Sequence, residues 1–344
     1  MTSTLLPEWH RQDGVQLTWP TPQSDWAPLL DRIEATLEAM VVAITRHERV
    51  LIAAGDEVTA GALRTRFAHL GIDDKQLIIA VSPSDDTWAR DHGPLAVERD
   101  SRITLLDYRF TGWGGKFAAE RDNALTLALR DQNIFSCDVE THDIVLEGGA
   151  LESDGQGTLL TTEACLLNEN RNPHLSREQI EAHLRETMGI KRVLWLSHGH
   201  LEGDDTDSHV DTLARFCNER TIAYVRCNDP QDPHYSDLKA MEAELQALRQ
   251  SDGTPYTLVP LPWPRACFDP EDGHRLPATY ANFLIINDAV LLPTYADPAD
   301  IEALKALESA FPDRTIIPID CRSVIRQHGS LHCLTMQLPC GTLA

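Results

Sequence analysis

The chain lacks most of the features that place a protein in a class at a glance. Its eight cysteines, Cys137, Cys165, Cys217, Cys227, Cys267, Cys321, Cys333 and Cys340, form no C-x-x-C pair, which argues against a zinc site of ordinary spacing and a redox dithiol. Free thiols in a reducing cytosol are the expectation. Basic residues are scarce: 30 Lys and Arg against 53 Asp and Glu leave a formal net charge of −23. Such a balance repels nucleic acid and anionic membrane and attracts small cations, although it also serves simply to keep a cytosolic protein soluble. No run is apolar enough to span a bilayer, because residues 281–292 are interrupted by Asn282, Asn287 and Asp288 and fall short of the ~20 residues required. The first nine residues carry no basic segment followed by an apolar one, so no secretory signal is expected and a cytoplasmic location is. No Gly/Ser-rich linker divides the chain, which favours one domain over residues 1–344 built of repeated modules.

What is present is a soluble globular balance, 42% hydrophobic and 24% charged, arranged periodically. Amphipathic helical patterns begin near Asp56, Arg121, Ser176, Tyr235 and Pro298. The short apolar strand expected after each covers residues 76–81, 134–139, 193–196, 256–261 and 315–319 in turn. A further helix, residues 29–47, precedes the first unit. Leu238, Met241, Leu245 and Leu248 share one helical face, as do Ile301, Leu304, Leu307 and Phe311. Ser176 and Gln179 have capping-box spacing, and Gly71 marks a helix stop.

Polar residues in unusual contexts fall on this frame at comparable stations. Asp91, Glu147, His209 and Cys333 follow the starts at Asp56, Arg121, Ser176 and Pro298 by 35, 26, 33 and 35 residues. Modules arranged round an axis would bring such residues together at its centre. Each has a plain alternative reading. Cys333, in Gln327-His328-Gly329-Ser330-Leu331-His332-Cys333, is either a small buried hydrophobe or a nucleophile that His328 and His332 are placed to activate. His209-Val210-Asp211 follows the acidic run Glu202-Gly203-Asp204-Asp205-Thr206-Asp207, and strand alternation would put His209 and Asp211 on one face. A divalent metal is the competing reading of that run, but it lacks the EF-hand glycine, and no H-E-x-x-H spacing occurs. Trp88-Ala89-Arg90-Asp91 offers an aromatic wall and a carboxylate, or merely an ion pair of Arg90 with Asp91. Glu147, between Val145-Leu146 and Gly148-Gly149, reads as a buried acid that demands a cation or donor.

At these residues the chain resembles the agmatine deiminase and bacterial peptidylarginine deiminase family of guanidino-group-modifying enzymes. The matching stretches run from Pro7-Glu8-Trp9 and Val15-Gln16-Leu17-Thr18-Trp19-Pro20 through Trp88-Ala89-Arg90-Asp91 and Phe110-Thr111-Gly112-Trp113-Gly114-Gly115. They continue through Leu146-Glu147-Gly148-Gly149, Leu167-Asn168-Glu169-Asn170-Arg171-Asn172-Pro173, Gly203-Asp204-Asp205-Thr206 and His209-Val210-Asp211 to His332-Cys333. The resemblance implies an α/β fold, the five-bladed α/β-propeller (pentein) of pseudo-fivefold symmetry, with neither cofactor nor metal. It implies Cys333 as nucleophile, His209 as general acid and base, Asp91 and Asp211 as the grip on a guanidinium, and Glu147 as the group that orients His209. Trp88, Trp113, Asp205 and Gly329 would receive the rest of the substrate.

Asp205 matches an acidic position that agmatine enzymes use for the distal amine, so the expectation is conversion of agmatine to N-carbamoylputrescine and ammonia. The expected partner is a small cationic guanidine, with no nucleic acid or membrane and with the oligomeric state left open. The chain departs from the family in having Gln327-His328-Gly329-Ser330 where agmatine enzymes have Gly-Gly-Gly-Asn, and Asp205 is one methylene shorter than the usual glutamate. Peptidyl-arginine deimination is the enzymatic alternative. A catalytically silent, acidic polyamine-binding protein and a metal-dependent hydrolase are the readings from other classes.

Overall fold

Parallel strands need a crossover long enough to return the chain to the same edge of a sheet, and six helices of 12 to 15 residues provide it. The computed structural model describes residues 3–344 as a mixed α/β fold of several sheets. One plan recurs. A strand pairs antiparallel with the next, a helix follows, and a third strand returns parallel to the second. Leu95–Arg99, Arg102–Arg109 and Asp138–Val145 follow this plan, as do Glu152–Ser153, Thr158–Thr162 and Arg192–Leu196. Ala214–Asn218, Thr221–Val225 and Thr257–Leu261 repeat it, and so do Leu284–Ile285, Ala289–Thr294 and Thr315–Asp320. The remaining large sheet holds Gln12–Thr18, Arg49–Ala54 and Leu77–Val81 in parallel, and its antiparallel member is the last strand of the chain, Thr335–Pro339. Both ends of the sequence therefore meet in one sheet.

The helices follow the expected pattern with informative exceptions. Ser176 and Gln179 form the capping box, Asp56 caps Glu57–His69 by accepting from the Thr59 amide, and Leu30–Ile44 buries Ile33, Leu37, Met40 and Ile44. On Ala299–Ala310 the buried residues are Ala303, Leu307 and Ala310, whereas Ile301 is exposed; the inward face is rotated from the one expected. The strand expected at residues 134–139 begins only at Asp138. Residues 134–136 pair instead with the C-terminal tail, where Ser136 N donates to Thr342 O and Ala344 N to Ile134 O. All eight cysteines are unpaired. Among the described residues no helix is long and apolar enough to cross a membrane.

The segments linking one sheet to the next position the site. Asp91 lies in the one-turn helix Ala89–His92 between the first and second sheets, and Glu147 immediately precedes Gly148–Ala150 on the next connection. His209 precedes Val210–Thr212, which contains Asp211, and Cys333 lies in His332–Leu334 just before the closing strand. The fourth connection carries an additional two-stranded ladder, Cys267–Phe268 with Arg275–Leu276, before it reaches Asn282.

Candidate active site

Asp91, Glu147, His209, Asp211 and Cys333 are all buried, and the structure brings them together. His209 places Nδ1 3.5 Å from Asp91 Oδ1 and Nε2 3.7 Å from Glu147 Oε2. Cys333 Sγ stands 3.8 Å from Asp211 Oδ2 and donates to Asn282 Oδ1 at 3.4 Å. Both ring nitrogens of His209 and Asp211 Oδ1 are buried without a hydrogen-bond partner. Unpaired buried polar atoms are rare, and these three lie beside Asp91, Glu147 and Cys333.

His209 and Asp211 do not alternate on a strand as expected. Thr206 Oγ1 accepts from the His209 amide at 3.2 Å and Thr212 Oγ1 donates to the His209 carbonyl at 2.8 Å. Those hydroxyls occupy the backbone groups that a ladder would use, so a 3-10 turn forms. The paired glycines beside Glu147 are required by close approach: a Cβ on Gly149 would lie 2.5 Å from His209 Nδ1, and one on Gly148 2.2 Å from Arg90 O.

Charge within the site is finely differentiated. Burial pushes the Asp91 carboxyl up, with Asp211 and Glu147 adding to the rise against His209 and Trp113. Burial opposes ionisation of Asp211 as well, yet His332, His209 and Arg215 hold it below the usual carboxylate range. Glu147 is likewise held low against its burial, by His209 and Arg171. Burial alone would lower the His209 pKa, but Asp91, Cys165 and Glu147 raise it well above the ordinary value. That direction favours the protonated ring, the form a general acid needs.

Cys333 departs from expectation. Burial, then the charges of Asp211 and Asp91, push the Cys333 thiol well above its ordinary value. Neither nearby histidine activates it. His332 directs Nδ1 to Asp211 Oδ2 at 2.7 Å and Nε2 to Glu8 Oε2 at 2.5 Å, and His328 Nδ1 donates to Gly203 O at 2.7 Å. His332 is committed through both nitrogens and His328 through Nδ1, and burial keeps the proton on the thiol.

Trp88, Trp113, Asp205 and Gly329, the residues expected to receive substrate, line a cavity of about 100 Å³ together with Asp91 and Cys333. Asp25, Asp86, Phe117, Thr206, Gln327 and His328 make up the rest of its lining. Trp113, at φ 55°, also donates Nε1–H to Asp91 Oδ2 at 3.0 Å, so it fixes a carboxylate as well as forming a wall. A Cβ on Gly329 would lie 2.3 Å from the Trp88 ring.

A layer of residues beneath the site was not singled out by sequence reasoning. Arg171 Nε holds Glu147 Oε1 at 2.7 Å and is the cation that the buried acid demanded. Arg215 pairs with Glu8 at 3.0 Å and with Glu152, while Glu8 accepts from Arg90 at 3.3 Å. Arg90 therefore serves Glu8 rather than forming the surface pair with Asp91. Asn282 Oδ1 accepts from the amides of His332 and Cys333 at 2.9 and 3.3 Å as well as from the thiol. Glu8 and Arg171 stand within quoted motifs; Asn282 and Arg215 had no local signal.

Glu147, Cys165 and His209 have donor atoms within 4.8 Å of one another, a set whose chemistry would suit a soft divalent ion. The Arg171 guanidinium on Glu147 places a fixed positive charge in that set, so the donors do not fit a resident metal. Nor does the acidic run gather round one point. Asp204 accepts from Thr206 and Ser208, and Asp207 is engaged by Lys116 and Arg171.

The family model of Porphyromonas-type peptidyl-arginine deiminase matches residues 4–339. The chain is 34% identical to an agmatine deiminase of Stutzerimonas stutzeri (strain A1501), over 96% of this chain and 94% of that one. Among solved structures it is 50% identical to a Porphyromonas gingivalis protein provisionally named an arginine deiminase, with a TM-score of 0.91 over 99% of this chain and 100% of the other. A cysteine-to-serine variant of C. jejuni agmatine deiminase with substrate bound is 37% identical, with a TM-score of 0.90 over 98% and 96% of the two chains. A family match across nearly the whole sequence, joined to a buried thiol, imidazole and carboxylates in pairs 3.5 to 3.8 Å apart, has one reading: the chain belongs to the Porphyromonas-type peptidyl-arginine deiminase family.

Proposed function

We propose that this protein hydrolyses the guanidinium of agmatine to N-carbamoylputrescine and ammonia, within a single domain over residues 1–344 that is a five-bladed α/β-propeller of pseudo-fivefold symmetry. The recurrent strand plan supports the propeller, and the resemblance to agmatine deiminases supports the reaction. The observation that carries the reading is the juxtaposition of Cys333 Sγ with Asp211 at 3.8 Å and of His209 with Asp91 at 3.5 Å. A guanidinium is a poor electrophile because its charge is delocalised. Carboxylates on two edges fix its plane and stabilise positive charge as it localises on carbon.

The raised thiol pKa then has a use. Burial, with Asp211 and Asp91 adding to it, holds the proton on Cys333, and a bound guanidinium offsets the two carboxylates. As the cation binds, the thiol proton leaves to solvent and the thiolate attacks the guanidinium carbon. Imidazolium His209, kept charged by Glu147, transfers its proton to the departing nitrogen. Ammonia leaves, and the carbon stays on sulfur as a thiouronium. Neutral His209 then takes a proton from water, whose oxygen attacks the same carbon. The C–S bond breaks, releasing the ureido product and returning sulfur and imidazolium to their starting forms.

Substrate choice follows from the outer cavity. Asp25, Asp86 and Asp205 line it, and their carboxylates have no side-chain cation partner among the described residues. A second positive charge at the far end of a short chain suits that lining better than the neutral amides of a peptidyl arginine do. Ammonia and ureido product are to be measured with agmatine, free arginine and a blocked arginyl peptide, in chelator, with Cys333→Ala as control. Turnover of agmatine, absent in the variant, is expected. Preference for the peptide would overturn the substrate, and activity lost to chelator would overturn the mechanism.

A further inference from the structure

His328 is a non-glycine residue lining the cavity in a left-handed conformation, at φ 67°. Glycine adopts that conformation freely and other residues do not. Strain of this kind persists where surrounding contacts impose it, and it gathers at ligand sites. Here the contacts are specific. The ring stacks on His274 at 5.2 Å and 20°, and Asp272 accepts from His274. Nδ1 lies 2.7 Å from the Gly203 carbonyl. A carbonyl only accepts, so Nδ1 carries a proton and Nε2 is the ring nitrogen left for another partner.

The partner loop is equally fixed. A Cβ on Gly203, at φ 86°, would lie 2.3 Å from Arg275 O, so only glycine fits there. From the other side Lys116 Nζ donates to Asp205 O at 2.6 Å and to Asp207 Oδ1 at 2.9 Å. The two loops are thus joined across the mouth, and His328 and Asp205 both line the cavity. Arg326, near His328 in sequence, is taken up by Asp269 and Glu271, and Lys116 spends its donors on Asp205 O and Asp207.

We propose that His328 is a specificity-determining residue that, with Asp205, receives a primary ammonium at the far end of the substrate. Nε2 accepts one N–H of that ammonium, and Asp205 supplies the counter-charge. The inference rests on the agmatine reading above and assigns its distal subsite to a residue that stands where agmatine enzymes carry glycine.

His328→Gly tests it, since glycine accepts φ 67° and the backbone is retained. The native chain and the variant are assayed with agmatine and with n-butylguanidine, which has the same guanidinium but no distal amine. Loss of one hydrogen bond to a charged group is expected to lower agmatine kcat/KM about tenfold, through KM, and to change n-butylguanidine by less than about twofold. The double variant with Asp205→Asn should lose less than the product of the single losses, because both act on one ammonium. Equal losses on both guanidines, or none on agmatine, overturn this inference while native turnover of agmatine leaves the proposed function standing. No native turnover of either guanidine removes the reading on which it rests.

Discussion

The floor and the mouth of the cavity are both rich in carboxylates, but only the floor neutralises its own. Beneath the reaction space Glu147 has Arg171, Glu8 has Arg90, Arg215 and His332, Glu152 has Arg215, and Asp211 has His332. At the mouth, Asp86 accepts from Trp26 and Thr87, and the cation nearest Asp205, Lys116, bonds its backbone carbonyl. Buried charges must be paired, because an unpaired one carries a desolvation cost of several kcal/mol. Burial raises the mouth acids Asp86 and Asp205, Asp86 to about 7, and an incoming cation favours their ionised form. The floor is therefore set for chemistry before substrate arrives, and the mouth is completed by substrate.

This contrast breaks most sharply on the nucleophile. Cys333→Ala should lower kcat by at least about 10⁴-fold on every guanidine, while calorimetry still detects agmatine binding, because the grip lies in carboxylates the variant retains. A variant with residual turnover near native would remove Cys333 from the chemistry.

A cation should awaken the thiol, and a neutral molecule of the same shape should not. At pH 7, 2-chloroacetamidine is expected to inactivate about 10²-fold faster than 2-chloroacetamide, because its positive charge offsets the Asp211 and Asp91 carboxylates that add to the burial of the thiol. The neutral reagent should label exposed Cys340 before Cys333, which is 3% exposed. Peptide mapping after partial labelling checks both, and equal rates on Cys333 would show that its carboxylates do not control it.

The mouth should act on affinity alone. Asp205→Asn is expected to lower agmatine kcat/KM about tenfold through KM, leaving n-butylguanidine nearly unchanged. Steady-state kinetics on the pair separates this from damage to the floor, which would lower kcat for both.

The smallest effect concerns stability. Burial raises Asp86 to about 7, with Asp122 adding to the rise, and burial raises Asp122 itself to about 7. A carboxyl raised in the folded state holds a proton that the unfolded chain releases near 3.8. Stability from these groups is therefore full below that value and falls as pH rises through about 7. Thermal unfolding at pH 8 should lie a few degrees below that at pH 6, and Asp122→Asn should flatten the difference. An unchanged midpoint would place both carboxyls outside the linkage.

Much of the site was legible because each side chain follows a local irregularity. Glu147 stands before paired glycines, Cys333 after a Gly-Ser loop, and Asp91 before Gly93-Pro94. Such breaks in an apolar pattern mark places where backbone must turn or approach closely. What stayed hidden is non-local. Asn282 sits inside an apolar stretch, and the extra ladder before it lengthens the fourth connection, so it falls 47 residues after Tyr235 rather than at the shared station. Arg215 is a lone cation in the apolar strand Ala214–Asn218, and only the fold shows the acids around it. The pairing of Thr335–Pro339 with Gln12–Thr18 joins the two ends of the sequence, and periodicity along a chain carries no record of it. The thiol pKa was misread for a related reason: sequence shows His332 beside Cys333, but not that Asp211 and Glu8 take both of its nitrogens.

The central claim is a covalent step at one sulfur. Native protein mixed with agmatine, quenched in acid within the first turnover and mapped by mass spectrometry, should carry agmatine less ammonia on Cys333 and on no other cysteine. Product formation with no adduct, or an adduct on a different thiol, would contradict the account.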